Sequence, residues 1–520
     1  MKLKYLVLVI VFLTFYNLSY SQFGKNKVQY EKFEWKFIES KHFDVYFHKG
    51  GEYLANYTAF EAEKALLKIQ NGLNYKLNTR ISIVVFNSHN QFQQNNIISS
   101  FLSEGIGGVT QLYKNNIVIP FQGDYEQFYH VIFHELVHGV LNDMFHGGTL
   151  QSSMSNGGFF IPSWLNEGLS EYLSYEGMDA HTDMFMRDMA VSENLMPLNR
   201  LDGYTQYRAG QTFYWYVADK YGKEKVGDFI NRLKIHKNVN AAFESTFKMS
   251  FEDFSEKWQK DVKKYFLPDL DLFKDVDDYA VPVAKRKKMK NFYNSAPAIS
   301  PDGEKMAFIS DNAGVLGISV MKIDDNKSIK NLISSFRKQD FEDLNILSPG
   351  ISWNDKGTKI AISAKAGGED AIFLVDAESG DYDKLVFGLK SIESVQWSPD
   401  GTMLAFSAQS DEKSDIYIYS FVKKKIENIT NDLFSDLRPT WSLDSKSIYF
   451  ISDRTDNLLM DKNKSNFKMW NYNPDNSDIY NISLNEKKIK RITFDPENKK
   501  SSISVSIDAD KMLFVSDKNG

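Results

Sequence analysis

Hydrophobic and polar positions follow different patterns in the two halves of the chain. Several short segments of the first half alternate between hydrophobic and polar residues or are rich in β-branched residues, which predicts strands. These segments are residues 42–47, 80–86, 108–112 and 117–121, and the last two flank Lys114-Asn115-Asn116 as the arms of a hairpin. Residues 52–75 are rich in Ala, Leu, Glu and Lys and predict a long helix, and helical patterning then dominates as far as Phe266. Residues 22–268 are therefore expected to form an α+β unit, with strands first and helices later.

A repeat begins near residue 291 and continues to the end of the chain. Ile299-Ser300-Pro301-Asp302-Gly303 and Trp397-Ser398-Pro399-Asp400-Gly401 each precede a hydrophobic segment, and weaker copies begin at Trp353, Trp441 and Ser506. The three tryptophans lie 44 residues apart, which is enough for four short strands and their turns, or one blade of a β-propeller. Four repeats and part of a fifth are present. Residues 291–520 are therefore expected to be an all-β propeller that is incomplete in this chain, and the natural protein is expected to continue.

The first 21 residues have the pattern of a secretory signal peptide. Lys2 and Lys4 precede an apolar run at residues 5–16, and Ser19 and Ser21 supply the small residues expected before cleavage at Gln22. The run is short for a bilayer span, and an uncleaved anchor is the alternative. No later segment is apolar enough to cross a membrane. The mature protein is expected to be exported, to the periplasm, the cell surface or the medium, and to carry no membrane span.

Composition and charge limit the partners and the kinds of site that the chain can have. The net charge of −6 provides no general attraction for nucleic acid. Residues 269–290 contain a proline and many charges and are predicted to be a linker. The basic run Lys285-Arg286-Lys287-Lys288 lies within it and is therefore expected to be solvated, with docking on an acidic surface as the alternative. The chain has no cysteine, so disulfides, thiolate metal sites and cysteine nucleophiles are excluded.

The strongest chemical signal is His134-Glu135-Leu136-Val137-His138. All nine histidines precede residue 240, which places histidine chemistry in the first half. The surrounding pattern is helical, with Asp124 as the expected N-cap, and residues four apart on a helix project from one side. Both imidazoles can then reach one zinc ion, while Glu135 is rotated away from the metal but stays close to water bound there. Packing of the histidines inside a buried helix is the alternative.

A third ligand is expected from Trp164-Leu165-Asn166-Glu167-Gly168. Glu167 and Glu171 are four residues apart on a second predicted helix and share a face. Glu167 can bind zinc, and Glu171 can accept a hydrogen bond from a ligating imidazole and fix its tautomer. Without the histidine motif, a solvent-facing acidic stripe would be the preferred interpretation of this pair.

These two motifs together resemble those of the gluzincin zinc peptidases, and most closely the group called peptidase MA-like. The resemblance covers roughly residues 40–265 and implies that His134, His138 and Glu167 bind one Zn²⁺ and that Glu135 is the general base. It also implies that Glu171 hydrogen-bonds a zinc ligand. The chain departs from the aminopeptidase branch in one respect, because the 28 residues between His138 and Glu167 form a longer spacing. The insertion includes the Gly- and Ser-rich residues 147–158 and is expected to form a lid or specificity loop. The Ser-Pro-Asp-Gly turns of the second half resemble TolB-type propellers.

Two further elements are assigned by the same resemblance. Tyr207-Arg208-Ala209-Gly210 is similar to the gluzincin segment that carries a tyrosine for transition-state stabilisation, with Tyr204 as a second choice and a packing role as the alternative. In gluzincins an edge strand pairs with the substrate backbone. The resemblance implies that this strand is the one before the helix of the histidine motif, with Gly107, Gly108, Val109 and Thr110 as its residues. His130 lies one turn before His134 and is expected to pack rather than to bind metal.

Two classes of function follow from these features. The first is an exported zinc metallopeptidase that acts on a peptide or protein substrate, with a possible protein partner at the propeller. The second is a non-catalytic binding scaffold, in which the propeller recognises a partner and the zinc site is structural or vestigial. The intact Glu135 favours the first, because a structural zinc site has no need of a base. Zinc-dependent hydrolysis of a non-peptide bond is a third reading that the ligand pattern leaves open.

Overall fold

The fold was analysed in a computed structural model of the chain. The structure describes residues 28–98, 102–112, 115–147, 159–268, 278–283, 293–324, 329–335, 341–347, 350–410, 412–458, 467–506, 508 and 511–518. The predicted signal peptide, most of the predicted linker with its basic run, and the Gly- and Ser-rich insertion after Gly147 lie outside these residues. Within the described ranges, no helix combines the length and hydrophobicity needed to cross a bilayer.

The first region is built on a five-stranded mixed sheet. Its strands are β1 (Lys36–Glu39), β2 (Phe43–Phe47), β3 (Ile81–Phe86), β4 (Val109–Gln111) and β5 (Asn116–Pro120), in the order β1-β2-β3-β5-β4. The three central strands are parallel, and the two edge strands are antiparallel to their neighbours. The hairpin predicted before the histidine motif is confirmed as β4 and β5, with Val109 opposite Val118. This arrangement leaves β4 as the free edge beside the candidate site.

Helices form the rest of this region. In chain order they are α1 (Glu52–Leu73), α2 (His89–Gln93), α3 (Tyr125–His146), α4 (Ser163–Ser174), α5 (Ala180–Val191), α6 (Thr205–Tyr221), α7 (Glu224–His236), α8 (Val239–Phe247) and α9 (Phe251–Phe266), with a 3₁₀ turn at Leu198–Arg200. The Asp124 carboxylate caps α3 by accepting hydrogen bonds from the backbone N–H groups of Glu126 and Gln127, at 2.9 and 3.2 Å. The Gln127 side chain donates to the side-chain oxygen of Gln122 at 3.0 Å. The α3 helix ends at Gly147, whose φ of 62° is the left-handed cap that favours glycine.

Helices α4 and α6 cross at a contact between two glycines. A Cβ added to Gly168 would lie 2.5 Å from the Cα of Gly210, and one added to Gly210 would lie 2.4 Å from the carbonyl oxygen of Trp164. Backbone therefore touches backbone at this point, without side chains between. The crossing places Glu167 and Glu171 of α4 beside Tyr207 and Arg208 of α6.

Replacing Gly168 with Ala is expected to destabilise the fold by about 1–3 kcal/mol, because the added methyl group must push two helix backbones apart. The same shift is expected to move Glu167 and so to weaken the zinc binding predicted from the sequence. Denaturant unfolding and metal content measure the two effects. The matched control is Gly72→Ala in α1, where the added Cβ would lie 3.7 Å from Leu173 in ordinary contact, so wild-type stability or better is expected. Equal stability of Gly168→Ala and Gly72→Ala would contradict the tight crossing.

The second region consists of small antiparallel sheets, as the repeat predicts. Among the described residues, four sheets contain four or five strands each, and a fifth contains two. The first sheet consists of β6 (Asn294–Ile299), β7 (Lys305–Ser310), β8 (Gly317–Lys322) and β9 (Ile329–Ser334), and the second of β10 (Asp343–Leu344), β11 (Ser352–Trp353), β12 (Lys359–Ala366), β13 (Glu369–Asp376) and β14 (Tyr382–Val386). The third consists of β15 (Ser391–Trp397), β16 (Met403–Ser410), β17 (Lys413–Ser420) and β18 (Lys425–Asn428), and the fourth of β19 (Asp436–Trp441), β20 (Ser447–Ser452), β21 (Asp478–Ser483) and β22 (Ile489–Arg491). The fifth consists of β23 (Lys500–Val505) and β24 (Met512–Ser516). The multidomain fold class, an α/β region followed by an all-β propeller-like region, is confirmed.

The repeated Ser-Pro-Asp-Gly sequence closes the turn between the first two strands of a sheet. In one copy, Ser398 Oγ donates to Asp400 at 2.6 Å and accepts a hydrogen bond from the backbone N–H of Met403 at 2.9 Å. Gly401 follows with a φ of 71°, which favours glycine. Ser300 and Asp302 make the same pair of contacts in the first sheet. The motif is therefore explained by turn geometry and implies no chemistry of its own.

The propeller-like region contacts helices α1, α2 and α3 of the first region. Asn90 donates to Asp370 at 2.8 Å, and the Tyr125 hydroxyl donates to the carbonyl oxygen of Glu412 at 2.6 Å. A 3₁₀ turn at Met469–Asn471 reaches back to α1, where the backbone N–H of Met469 donates to the Tyr53 hydroxyl at 2.9 Å. Met469 is fully buried within the hydrophobic core of the first region. These contacts hold the second region against the N-terminal end of α3, the helix that carries the histidine motif.

Candidate metal centre

The two histidines of the motif face each other on α3. His134 and His138 are buried, and their Nε2 atoms lie 3.1 Å apart. The helix presents both rings to one side because they are four residues apart. The apolar side chains of α3, including Leu136 and Val137, face the core and fix the orientation of the helix.

Glu167 on α4 completes a triangle of donor atoms. Its Oε2 lies 3.3 Å from His134 Nε2 and 3.2 Å from His138 Nε2. Three ligands of a tetrahedral zinc ion with bonds of about 2.0–2.1 Å would lie about 3.3–3.4 Å from one another. The three side chains therefore fit one zinc ion without rearrangement. Two imidazoles and one carboxylate also make up a donor set found in catalytic zinc sites, which keep a position open.

The charges around these atoms favour a bound cation. Burial alone would raise the pKa of Glu167, but its contacts with His134 and His138 outweigh that effect and hold the pKa below its usual range. Burial opposes charge on His134, but hydrogen bonds to Glu167 and Glu171 and the charges of Glu171 and Glu135 raise its pKa to about 10. The carboxylates therefore create a field that stabilises positive charge at the centre of the triangle.

Glu171 holds His134 from the side opposite the triangle. Its Oε1 lies 3.0 Å from His134 Nδ1, and its Oε2 accepts a charged hydrogen bond from Arg208 Nη1 at 3.0 Å. This contact leaves Nε2 of His134 directed toward Glu167 and His138. Glu171 was predictable from the sequence but Arg208 was not, because no local pattern links two residues that are 37 positions apart.

His130 is placed next to this network, as expected for a packed histidine. Its Nε2 is 3.6 Å from Glu171 Oε1, and its ring stacks on Tyr175 with centroids 4.1 Å apart. Donor atoms of His130, His134 and Glu171 also lie within 4.8 Å of one another. The guanidinium of Arg208 already pairs with Glu171, so a second metal ion there would meet like-charge repulsion.

Replacing Glu171 with Gln is expected to weaken the predicted zinc binding about 10- to 100-fold, because the amide is a poorer acceptor for His134 Nδ1–H and leaves Arg208 with the more distant carboxylate of Asp179, 3.7 Å from its Nη1. Competition with a chromogenic chelator measures the affinity. The control Glu256→Gln removes the same charge from an exposed position on α9 and should leave affinity unchanged. Unchanged affinity in Glu171→Gln would mean that Glu171 does not support the metal ligand.

Glu135 lies under the edge strand. The carboxylate is buried, and Thr110 Oγ1 is 2.6 Å from its Oε2. A Cβ on Gly108 would lie 2.8 Å from both Cγ and Oε1 of Glu135, so only glycine leaves room for this side chain. In the predicted edge segment, Thr110 therefore hydrogen-bonds the Glu135 carboxylate, and Gly108 leaves space for the Glu135 side chain. Gly107 lines the same cleft, whereas Val109 packs on a small cluster that includes Phe86 and Phe92.

Tyr207 lies beside the triangle, and Tyr204 is engaged elsewhere. The Tyr207 ring stacks at 6.3 Å from the His134 ring, and burial together with the charges of Glu167 and Glu135 raises its pKa. Its hydroxyl therefore stays protonated and able to donate. The Tyr204 hydroxyl accepts a hydrogen bond from Arg208 Nε at 2.8 Å and lies 2.7 Å from His181 Nε2. Of the two tyrosines named from the sequence, Tyr207 is the one beside the candidate ligands.

A cleft of about 960 Å³ opens over these residues. One wall carries His134, Glu135 and Tyr207 from the first region. A second wall comes from the propeller-like region and includes Arg438 and Asp453. The volume is in the range of protein ligand sites, which suits a segment of peptide. The repeat pattern of the sequence contained no signal for this shared wall.

Comparison with known proteins finds a family-model match within each region. Residues 61–264 match the family model of the Peptidase MA superfamily, and residues 340–472 match that of the TolB beta propeller domain. TolB from Acinetobacter baumannii aligns at 17% identity over 43% of this chain and 51% of its own, with a TM-score of 0.32. A putative TolB from Agrobacterium tumefaciens aligns at 15% identity over 39% and 66% of the two chains, with a TM-score of 0.30. The chain thus spans about half the length of the first of these structures. A sequence search of curated proteins found no match.

Proposed function

Because the chain contains a Peptidase MA superfamily domain at residues 61–264 and a TolB beta propeller domain at residues 340–472, we propose that it is an exported zinc-dependent peptidase. His134, His138 and Glu167 would hold one Zn²⁺, and Glu135 would act as general base. Domain boundaries at residues 22–268 and 291–520 and cleavage of a signal peptide after residue 21 belong to the same proposal. Export rests on the sequence pattern of residues 1–21.

One observation carries the proposal. Three donor atoms from two helices lie 3.1–3.3 Å from one another, and the Glu135 side chain, which follows His134 in the sequence, lines the cleft together with His134. A structural zinc site is closed by a fourth protein ligand and has no use for a neighbouring base. The arrangement therefore supports hydrolysis better than it supports a purely structural metal.

Zinc bound here would lower the pKa of water and polarise the scissile carbonyl. Glu135 would take a proton from the attacking water and pass it to the leaving amine. Thr110 holds the Glu135 carboxylate in place through the 2.6 Å hydrogen bond. Tyr207 would donate a hydrogen bond to the oxygen that becomes negative, and Glu171 would keep His134 in the ligating tautomer. The outer edge of β4 pairs with no other strand among the described residues, so a peptide could align along its backbone groups.

The test is digestion of a mixed peptide library by the full chain, with products identified by mass spectrometry. Cleavage is expected in the purified protein, loss of cleavage after a chelator, and recovery after added Zn²⁺. Products also distinguish internal from terminal cleavage. A protein that binds zinc but leaves every peptide intact would favour the alternative, a binding scaffold with a structural or vestigial metal site.

A further inference from the structure

Arg438 belongs to the part of the cleft lining that the propeller-like region supplies. It lies on β19 and lines the same cleft as His134, Glu135 and Tyr207. Its side chain is partly buried. A cation in this position faces the space that a substrate would occupy.

The backbone at Arg438 belongs to the fold and does not by itself signal function. A β-bulge interrupts the first strand of four sheets, in β6, β15, β19 and β23. Each bulge holds one residue with a left-handed φ of 50° to 55°, at Ala296, Ser394, Arg438 and Ser502. Three of these four equivalent positions carry a small side chain. The bulge of β19 alone presents a long cation, and that cation lines the cleft.

The other cations of the cleft lining are already partnered. Arg208 donates to Glu171 at 3.0 Å, and Lys499 pairs with Glu126. Lys500 donates to the carbonyl oxygen of Ser477 at 2.8 Å. For Arg438, the part of the chain that the structure describes supplies neither a hydrogen-bond acceptor for the guanidinium nor a carboxylate within 4.0 Å. Arg438 is therefore the lining cation that is available to a ligand among the described residues.

Two acidic residues of the same wall, Asp453 and Asp517, each accept a hydrogen bond from a backbone N–H and do not pair with Arg438. Asp453 lines the cleft, and its Oδ1 accepts a hydrogen bond from the backbone N–H of Ser435 at 3.0 Å. Burial, with the charges of Asp124 and Asp436, raises the pKa of Asp453 well above its usual range and favours the neutral form. A neutral carboxyl is a weak competitor for a guanidinium.

We propose that Arg438 binds a carboxylate of the peptide substrate, so that the propeller domain contributes a specificity-determining residue to the peptidase cleft. The guanidinium presents paired N–H donors whose geometry matches a carboxylate, which it binds in bidentate fashion. The carboxylate can be the C-terminus of a peptide or the side chain of Asp or Glu. This inference rests on the proposed peptidase function and deepens it by naming a substrate class.

The test measures binding, so that it does not depend on turnover. Fluorescein-labelled pools of random octapeptides built from uncharged residues are made in two pairs. The first pair has a free C-terminal carboxylate or a C-terminal amide, and the second pair, both amidated, has one interior Glu or Gln. Fluorescence anisotropy gives the affinity of each pool for the full, zinc-loaded chain carrying Glu135→Gln, with and without a second substitution at Arg438.

With Arg438 present, one carboxylate pool is expected to bind about 10- to 100-fold more tightly than its uncharged counterpart, as for a charged hydrogen bond. Arg438→Gln is expected to abolish that difference, and Arg438→Lys to retain part of it. The matched control, Lys446→Gln, removes a charge from the exposed turn of the same hairpin and should change nothing. Whichever pair shows the preference identifies the source of the carboxylate.

Equal binding of charged and uncharged pools, no binding of any pool, or a preference that survives Arg438→Gln would overturn the inference. The proposed function is judged separately, by zinc-dependent cleavage of the same pools by the chain with Glu135 intact. Cleavage without carboxylate preference would refute the role of Arg438 and leave the peptidase assignment in place. Carboxylate binding without cleavage would refute the peptidase assignment and leave the role of Arg438 in carboxylate binding in place.

Discussion

Glu135→Gln is expected to lower kcat for peptide hydrolysis by about 10²- to 10⁴-fold while leaving one zinc ion per chain. The amide has nearly the same shape as the carboxylate and can still contact Thr110, but it has no basic oxygen to accept a proton from water. Because Glu135 does not belong to the donor triangle, the metal should be retained. Steady-state kinetics on a peptide identified from the library digest, together with metal analysis of the same preparation, measures both quantities.

The control for this substitution is Glu244→Gln, which changes an exposed carboxylate on α8 and should leave kcat unchanged. Thermal unfolding of Glu135→Gln should match that of the wild type, since the substitution preserves volume. A Glu135→Gln protein that cleaves the peptide at the wild-type rate would refute the assignment of the base. Loss of both zinc and activity would instead indicate that Glu135 supports the metal.

Glu167→Ala is expected to weaken zinc binding by about 10²- to 10³-fold and to abolish activity at ordinary zinc concentrations. Structural zinc sites bind with about 10–16 kcal/mol from four ligands, which is about 3 kcal/mol for each. The substitution removes the only carboxylate of the triangle and leaves two imidazoles, whose Nε2 atoms lie 3.1 Å apart. Chelator competition gives the affinity, and high added zinc should restore binding without full restoration of kcat.

Ser163→Ala, at the exposed first residue of the same helix, is the matched control and should bind zinc with wild-type affinity. The pair of variants separates an effect on the ligand from an effect on α4. If Glu167→Ala bound zinc as tightly as the control, another group would have to supply the third ligand, and the arrangement proposed for the site would be wrong.

The parts of the site that were predictable are those governed by local rules. Two histidines four residues apart on a helix face one side in any fold, which is why His134 and His138 could be paired before the structure was known. The same periodicity linked Glu167 to Glu171. The hairpin of β4 and β5 followed from two extended segments around a polar turn. The structure places each of these segments where its pattern indicated.

The contacts that could not be predicted join distant parts of the chain. The pairing of Arg208 with Glu171 depends on the crossing of two helices at Gly168 and Gly210, and no local pattern encodes that meeting. The need for glycine at position 108 arises only because Glu135 lies against it in space. The repeat predicted propeller blades but not which face of them packs on α3. The position of Arg438 in the cleft depends on this packing of the propeller-like region and was therefore not predictable from the sequence.

The central claim is that His134, His138 and Glu167 hold a single zinc ion. Anomalous X-ray diffraction from crystals of the full chain, collected on both sides of the zinc absorption edge, tests it directly. The account predicts one peak, about 2.0–2.2 Å from Nε2 of both histidines and from a carboxylate oxygen of Glu167. A zinc-replete crystal with no peak at this position, or with the ion bound by other residues, would contradict it.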